Sequence, residues 1–395
     1  MQFDADVIVT GAGPAGTMAA YELARGGADV LILEKATFPR YKVCGGGLTR
    51  KIVEEIPFDI TPVIEQQIFS VRFSCNFENL FTRTSEEGLI YCSMRDDLDQ
   101  FLLDQAIASG ARIRHGEHVI DIEQEGGGIC IKTRNGQFRS RAVIGADGAS
   151  SVVANKSGLR RDLMPGVAWE AEMEAGEEEL NQYRRTVFLD WGTFPGGYGW
   201  IFPKRDHFSV GVGGPASLSS FLKSYNQKFL QSSGIRFTGI RSMKSWPIPV
   251  VTRKGNFHTQ HIVVAGDAAG LTDPLTGEGI SYAIRSGTMA GRAVLNYLKG
   301  SSGALADYSE EINQRVMSEI LEADRVKLIF NAVPRTIHKA VRDRDRVWRA
   351  FGKILKGERT YLDVRMGFGK WKFLWGAACW ISAMVYKVRM RRYKG

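Results

Sequence analysis

Three glycine-rich segments, two carrying a carboxylate and the first followed by one at Glu34, are the parts of this chain best suited to chemistry. The first is Gly11-Ala12-Gly13-Pro14-Ala15-Gly16. A turn of this kind suits a pyrophosphate: bare backbone N–H groups and the positive end of a helix face the anion, and the last glycine lets helix and sheet approach. Glu34, followed by Lys35, is spaced to accept hydrogen bonds from ribose hydroxyls. The second segment is Gly145-Ala146-Asp147-Gly148-Ala149-Ser150-Ser151. The third is Gly266-Asp267-Ala268-Ala269-Gly270, continued by Asp273-Pro274-Leu275-Thr276-Gly277-Glu278-Gly279 and Ile280. In both, an acidic side chain at a strand end can take a sugar hydroxyl while free N–H groups face phosphates or a cofactor ring. Any one of the three alone is compatible with an ordinary surface turn.

Two further stretches bring thiol, basic and aromatic groups together. Pro39-Arg40-Tyr41-Lys42-Val43-Cys44-Gly45-Gly46-Gly47 sets Cys44 in an exposed turn, either as a reactive thiolate or as a small packing residue. Pro195-Gly196-Gly197-Tyr198-Gly199-Trp200-Ile201-Phe202-Pro203-Lys204 has the alternation of a strand. Tyr198, Trp200 and Phe202 then share a face, as the lining of a slot for an apolar chain or as an ordinary buried stripe.

The elements that position these groups are legible in outline. Ala5 to Thr10 reads as a buried strand, Pro14 to Arg25 as a helix and Asp29 to Leu33 as a second strand, which is a parallel βαβ unit. A helix is expected near Asp96 to Ser109, and alternating strands dominate from Val167 to Trp246. Ile262 to Ala265 returns the chain to the first sheet, and from Asp307 onward the pattern is helical, basic and aromatic. The expected class is α/β, α+β overall: a Rossmann-like nucleotide-binding domain (residues 1–70, 90–160 and 255–300) interwoven with a sheet-rich substrate domain (71–89 and 161–254). A helical C-terminal region (301–395) follows.

At these motifs the chain resembles the FAD-dependent oxidoreductases typified by p-hydroxybenzoate hydroxylase, over about residues 1–300. The Lys42-Val43-Cys44-Gly45-Gly46 and Tyr198 to Pro203 stretches resemble the Lys-x-Cys-Gly-Gly and Tyr-x-Trp-x-Phe-Pro motifs of the geranylgeranyl reductase family. The resemblance implies FAD held by Gly11, Gly13, Pro14, Ala15, Gly16, Glu34, Lys35, Cys44, Gly45, Gly46, Arg95, Asp147, Gly266, Asp267, Pro274, Gly277, Gly279 and Ile280. Arg95 matches the family's flavin-contacting arginine; the plain alternative is a solvated charge opening a helix. Cys44, Gly45 and Gly46 would form the catalytic turn beside the ring, and Tyr198, Trp200, Phe202 and Pro203 the substrate wall. The implied activity is saturation of C=C bonds of a geranylgeranyl or other isoprenoid chain by hydride from reduced flavin N5, with NADPH or ferredoxin as electron donor. The alternatives are a class A flavin monooxygenase of a hydrophobic substrate and, from a different class, a non-catalytic prenyl-lipid-binding protein on the same fold.

Composition adds a location. Residues 325–395 carry 19 Lys and Arg against 4 Asp and Glu, a net +15, leaving residues 1–324 at −6. Phe373 to Tyr386 is an uncharged stretch flanked by Lys370, Lys372, Lys387, Arg389, Arg391 and Arg392. Fourteen helical residues rise about 21 Å, short of the ~30 Å of a bilayer core. Trp371, Trp375, Trp380 and Tyr386 suit a water–lipid boundary, so an interfacial anchor on an anionic membrane is expected, with a buried closing helix as the alternative. No nucleic-acid motif accompanies the basic residues. Five separated cysteines without zinc spacing predict a reducing compartment and no metal site. With no leader expected ahead of the first strand, the chain is read as cytoplasmic and peripherally membrane-associated. The expected partners are an isoprenoid lipid or prenyl diphosphate, the membrane surface, and ferredoxin if it is the donor.

Overall fold

In a computed structural model, which describes residues 2–367, 369 and 372–394, two seven-stranded sheets face each other across a cavity. The first sheet runs Arg112–His115, Val30–Glu34, Ala5–Thr10, Gln137–Gly145, Gly128–Thr133, Val119–Glu125, with Ile262–Val264 added alongside Gln137–Gly145. Its nucleotide-binding strands are parallel, and Val7, Ile8, Val9, Ile32, Val143 and Ile144 are fully buried. Such uninterrupted apolar runs mark a sheet covered on both faces.

One cover is the helix Pro14–Arg25, crossed by the helix Ile280–Leu298. Their contact is made of small residues. A Cβ on Gly287 would stand 2.1 Å from the Ala15 carbonyl oxygen, and one on Gly291 2.7 Å from that of Ala19. Within the βαβ unit, a Cβ on Gly16 would fall 1.9 Å from the Gly11 oxygen. The last glycine of the first motif therefore serves close helix-to-sheet packing.

The second sheet runs Phe237–Val251, Leu163–Ala175, Phe208–Pro215, Tyr198–Pro203, Thr186–Trp191, Ser70–Cys75, Glu78–Thr84. It is antiparallel except where Thr186–Trp191 meets Ser70–Cys75. Its alternation sends Ile201, Phe208, Val210 and Val212 to a core beneath the helix Ser219–Ser233, and Glu170, Tyr198 and Trp200 to the cavity. A small sheet of Gly47–Thr49, Ile90–Cys92 and Gln66–Ile68 joins the two parts.

Helices fill the C-terminal region. The last, Lys372–Lys394, is longer than its uncharged stretch because the basic residues continue it. Its inner face packs on the helix Ser318–Ala332. Two residues expected at a lipid boundary lie on that inner side instead. Trp375 is buried and donates from Nε1 to Glu322 at 2.6 Å, and Tyr386 lines the cavity. Arg389, expected to face headgroups, binds the Gly192 carbonyl at 2.9 Å and that of Asn331. The outer face is apolar and open: Leu374, Trp380, Ile381, Met384, Val385 and Val388 are exposed. Lys370 and Trp371 lie outside the described residues, as do the side chains of Lys372 and Phe373. Among the described residues, no helix is long and apolar enough to cross a membrane.

Candidate active site

A cavity of about 720 Å³ lies between the sheets and receives all three glycine-rich segments at one end. Gly13 presents bare backbone: a Cβ there would meet only the Arg40 guanidinium, 3.9 Å away. Glu34, at the end of its strand, is buried, and its carboxylate accepts the N–H groups of Ala12 (2.7 Å) and Ala36 (2.9 Å). It borders the cavity beside Lys35.

Asp147 is engaged differently from expectation. Oδ1 accepts from Ser151 Oγ at 2.5 Å, and Oδ2 from the Val152 and Val153 N–H groups at 2.7 and 3.2 Å. Its carboxylate ties the loop to the short helix Val152–Lys156 while the residue still borders the cavity.

In the third segment, Gly266 holds φ +58° and a Cβ there would stand 2.9 Å from Ala15 Cβ, so it packs behind the cavity rather than lining it, as Gly16 does. Asp267 lies in the wall with Lys42 Nζ 4.0 Å away. Asp273 accepts the N–H groups of Leu275 and Thr276 at 2.7 and 3.0 Å, which shapes the turn through Pro274 and Gly277. Gly279 and Ile280 open the 19-residue helix Ile280–Leu298 at the cavity edge. Burial, opposed by the Ser281 N–H that donates to its carboxylate at 2.6 Å, pushes Glu278 up to about 7.

Arg95 is no solvated charge. It is 6 % exposed and grips Asp99 bidentately, 2.8 Å from each oxygen, and Asp99 also takes Arg40 at 2.8 Å. Burial works against its charge, but Asp99 outweighs burial and raises its proton affinity. The guanidinium is locked in the cavity wall close to Cys44.

The Cys44 to Gly47 turn separates the nucleotide end from an apolar end. Ideal Cβ atoms on Gly45 and Gly47 would each stand 3.1 Å from the Phe202 ring, and the Gly45 Cβ 3.0 Å from Trp200 Nε1. The rings of Tyr198 and Trp200 lie 5.3 Å apart, and Tyr198 donates to the Thr276 carbonyl, joining the aromatic strand to the third segment. Pro203, expected in the substrate wall, is turned to the opposite face opposite Phe208, as alternation requires.

Beyond Trp200 the walls are Val187, Leu189, Trp191, Phe330, Ile354 and Leu355. Three of these come from the C-terminal helices, whose cavity role the basic, aromatic pattern did not reveal. Sequence reasoning also missed Glu170 and Lys204. A signal for Glu170 was present: Glu170, Glu172 and Glu174 alternate at the end of the strand Leu163–Ala175, so three carboxylates share one face of it.

Seven buried polar atoms in this wall find no hydrogen-bond partner among the described residues: Arg40 Nη1, Glu170 Oε2, Trp191 Nε1, Trp200 Nε1, Trp246 Nε1, Thr272 Oγ1 and Ser281 Oγ. Buried polar atoms are normally satisfied, so the wall is built for a ligand with polar groups. Bare glycine backbone, strand-end carboxylates and a helix start fit the phosphates, sugars and ring of FAD.

The comparisons with known proteins agree. Residues 6–157 match the family described as FAD dependent oxidoreductase. The chain is 32% identical to the geranylgeranyl diphosphate reductase of Rhodobacter capsulatus over 76% of this chain and 77% of that protein. It is 31% identical to digeranylgeranylglycerophospholipid reductase 3 of Methanosphaera stadtmanae, covering 78% and 80%. The crystal structure of a geranylgeranyl bacteriochlorophyll reductase-like protein from Thermoplasma acidophilum superposes with TM-score 0.73 at 25% identity, covering 83% and 87%.

Proposed function

As the chain belongs to the geranylgeranyl reductase family of FAD-dependent oxidoreductases, we propose that it saturates C=C bonds of a geranylgeranyl or related isoprenoid chain carried on a lipid or diphosphate. The observation that carries this reading is one cavity with two ends: a glycine- and carboxylate-lined end and an apolar end, meeting at the Cys44 to Gly47 turn. FAD, when bound, is the two-electron hydride donor for such a reduction.

The residues of this chain bind, orient and shield. The three glycine-rich segments with Glu34 and Asp267 hold the cofactor, and Arg95, fixed by Asp99, faces it. The missing side chains of Gly45 and Gly47 let the Trp200 and Phe202 rings pack directly on the glycine turn, and with Tyr198 they form the wall along which the isoprenoid is held. The apolar walls exclude water from the reacting carbons.

Peripheral membrane association completes the reading. The helix Lys372–Lys394 presents an apolar outer face among basic residues while its Tyr386 borders the cavity. A prenyl chain leaving an anionic bilayer would enter beside that helix. Lipid analysis of a strain lacking the gene tests the reading: one isoprenoid class should accumulate with extra double bonds, and an unchanged lipid profile would contradict it.

A further inference from the structure

We propose that Glu170 is the acid that protonates the alkene, and that Glu172, His207 and Asp206 return a proton to it from solvent. The assignment rests on the reductase reading above.

Glu170 is 1 % exposed and borders the cavity. Its Oε1 accepts the Cys44 N–H at 2.7 Å, and its Oε2 has no partner among the described residues. On the neighbouring strand it stands opposite Gly211, over which Trp200 lies. The carboxyl therefore belongs to the site where the glycine turn and the aromatic wall meet. A permanently ionised carboxylate so buried and half-satisfied is costly, whereas a neutral carboxyl has a proton to give.

Its surroundings set that proton. Burial and the charge of Glu172 raise Glu170 to about 7, while the Cys44 N–H, Lys204 and Arg95 oppose the rise. Lys244 stands opposite Glu170 on the strand Phe237–Val251, with Nζ over the Tyr41 ring. Tyr41, from the turn before Cys44, adds a neutral hydroxyl.

A polar path leads outward. Glu172, two residues on and on the same face, accepts from Ser209 (2.6 Å) and Tyr41 (3.1 Å) and pairs with His207 Nε2 at 3.0 Å. His207 Nδ1 lies 2.7 Å from Asp206, whose side chain is 63% exposed and pairs with Arg241. Tyr41, Glu172, His207, Asp206 and Arg241 border a second cavity of about 470 Å³. Burial opposes both charges of the His207–Glu172 pair, but their mutual hydrogen bond, with Ser209 and Asp206 behind it, holds the carboxylate low and the imidazole high. The gap between Glu172 and Glu170 is two strand residues, about 6–7 Å, and in this proposal the proton crosses it by the Tyr41 hydroxyl, which Glu172 holds at 3.1 Å, or by a water.

The step balances. For each double bond the π bond breaks, a hydride from reduced flavin forms one C–H bond and the Glu170 proton forms the other. The alkene is reduced, the flavin is oxidised, and the Glu170 carboxylate is reprotonated from solvent through His207 and Glu172.

The near-isosteric E170Q holoenzyme, reduced anaerobically and mixed with a geranylgeranyl lipid, tests this. Flavin reoxidation should slow by at least ~100-fold with FAD content unchanged. E172Q should move the alkaline fall in rate of this single turnover to lower pH, since the charge that raises Glu170 is gone, and should slow the turnovers after the first, since the return path is cut. Urea unfolding of FAD-free protein gives a readout independent of turnover. Relative to E170Q, the wild type should lose stability as pH rises from the ordinary glutamate range through about 7. E170Q turning over at the wild-type rate, or an absent stability difference, overturns the assignment and leaves the reductase reading standing. Wild-type protein that saturates no isoprenoid sinks the reductase reading, and the assignment with it.

Discussion

Lys204 Nζ donates to the Gly45 carbonyl at 2.9 Å, and to the Ser93 carbonyl at the same distance, from a side chain that is almost completely buried. One ammonium thus fixes the glycine turn to the end of the aromatic strand. Gly46, the last residue of the first motif, holds φ +67°, and a Cβ there would stand 1.9 Å from the Ser93 oxygen. The Lys-x-Cys-Gly-Gly and Tyr-x-Trp-x-Phe-Pro stretches are one structural unit, held together by the lysine that follows the second.

Lys204→Met should therefore destabilise the protein by roughly 1–3 kcal/mol for each carbonyl left without its donor. Chemical unfolding of the FAD-free protein measures this. A variant as stable as the wild type would mean that water replaces the ammonium and that the lysine does not set the turn.

Gly211→Ala tests the slot. An added Cβ would fall 2.1 Å from Trp200 Cζ2, so the indole must tilt away from the strand and into the cavity. The nucleotide end is untouched, and FAD content should stay at the wild-type level. Isoprenoid turnover should fall on the order of a hundredfold, the scale on which misplacement of a reacting group by an ångström acts. Unchanged turnover of long and short prenyl substrates would place the chain elsewhere.

How far this architecture was legible follows from the range of each signal. The βαβ unit was readable because strand, turn and helix are local and Val7 to Val9 and Ile32 are apolar without interruption. Tyr198, Trp200 and Phe202 shared a face by alternation alone. Pro203 was placed with them by motif, and the same alternation turns it away. Asp147 looked like a ligand from type and position, yet its nearest donors are on the following helix. Lys204 and Glu170 act on residues 159 and 126 positions away, a relationship that no single-chain periodicity carries. Trp375 was misassigned because amphipathic period does not say which face meets the protein, and Glu322 lies 53 residues before it.

The Glu172–His207 pair predicts a pH optimum of stability relative to Glu172→Gln. Glu172 is held below its ordinary value of 4.5, so its contribution is lost as pH falls below that range. His207 is held above 6.5, so its contribution is complete below that value and is lost as pH rises through its folded-state value. The stability difference between wild type and variant should peak between these two values and decline on both sides. Urea titrations across that window measure it, and a flat difference would show that the pair is not ionised.

Trp380 and Ile381 are 66% and 53% exposed on the outer face of the last helix. Replacing both with glutamate should leave folding and FAD content intact while abolishing sedimentation with vesicles containing an anionic phospholipid. Wild-type binding should weaken with added salt, because the basic residues contribute electrostatically. Equal sedimentation of the two proteins would rule out this face as the membrane contact.

The most direct test of the central claim is an anaerobic single turnover. Wild-type protein loaded with FAD, reduced chemically and mixed with a geranylgeranyl lipid without oxygen should have its flavin reoxidised, with one double bond saturated per flavin by mass spectrometry of the lipid. Flavin that stays reduced until oxygen is admitted, or a lipid that emerges oxygenated or unchanged, would contradict the assignment.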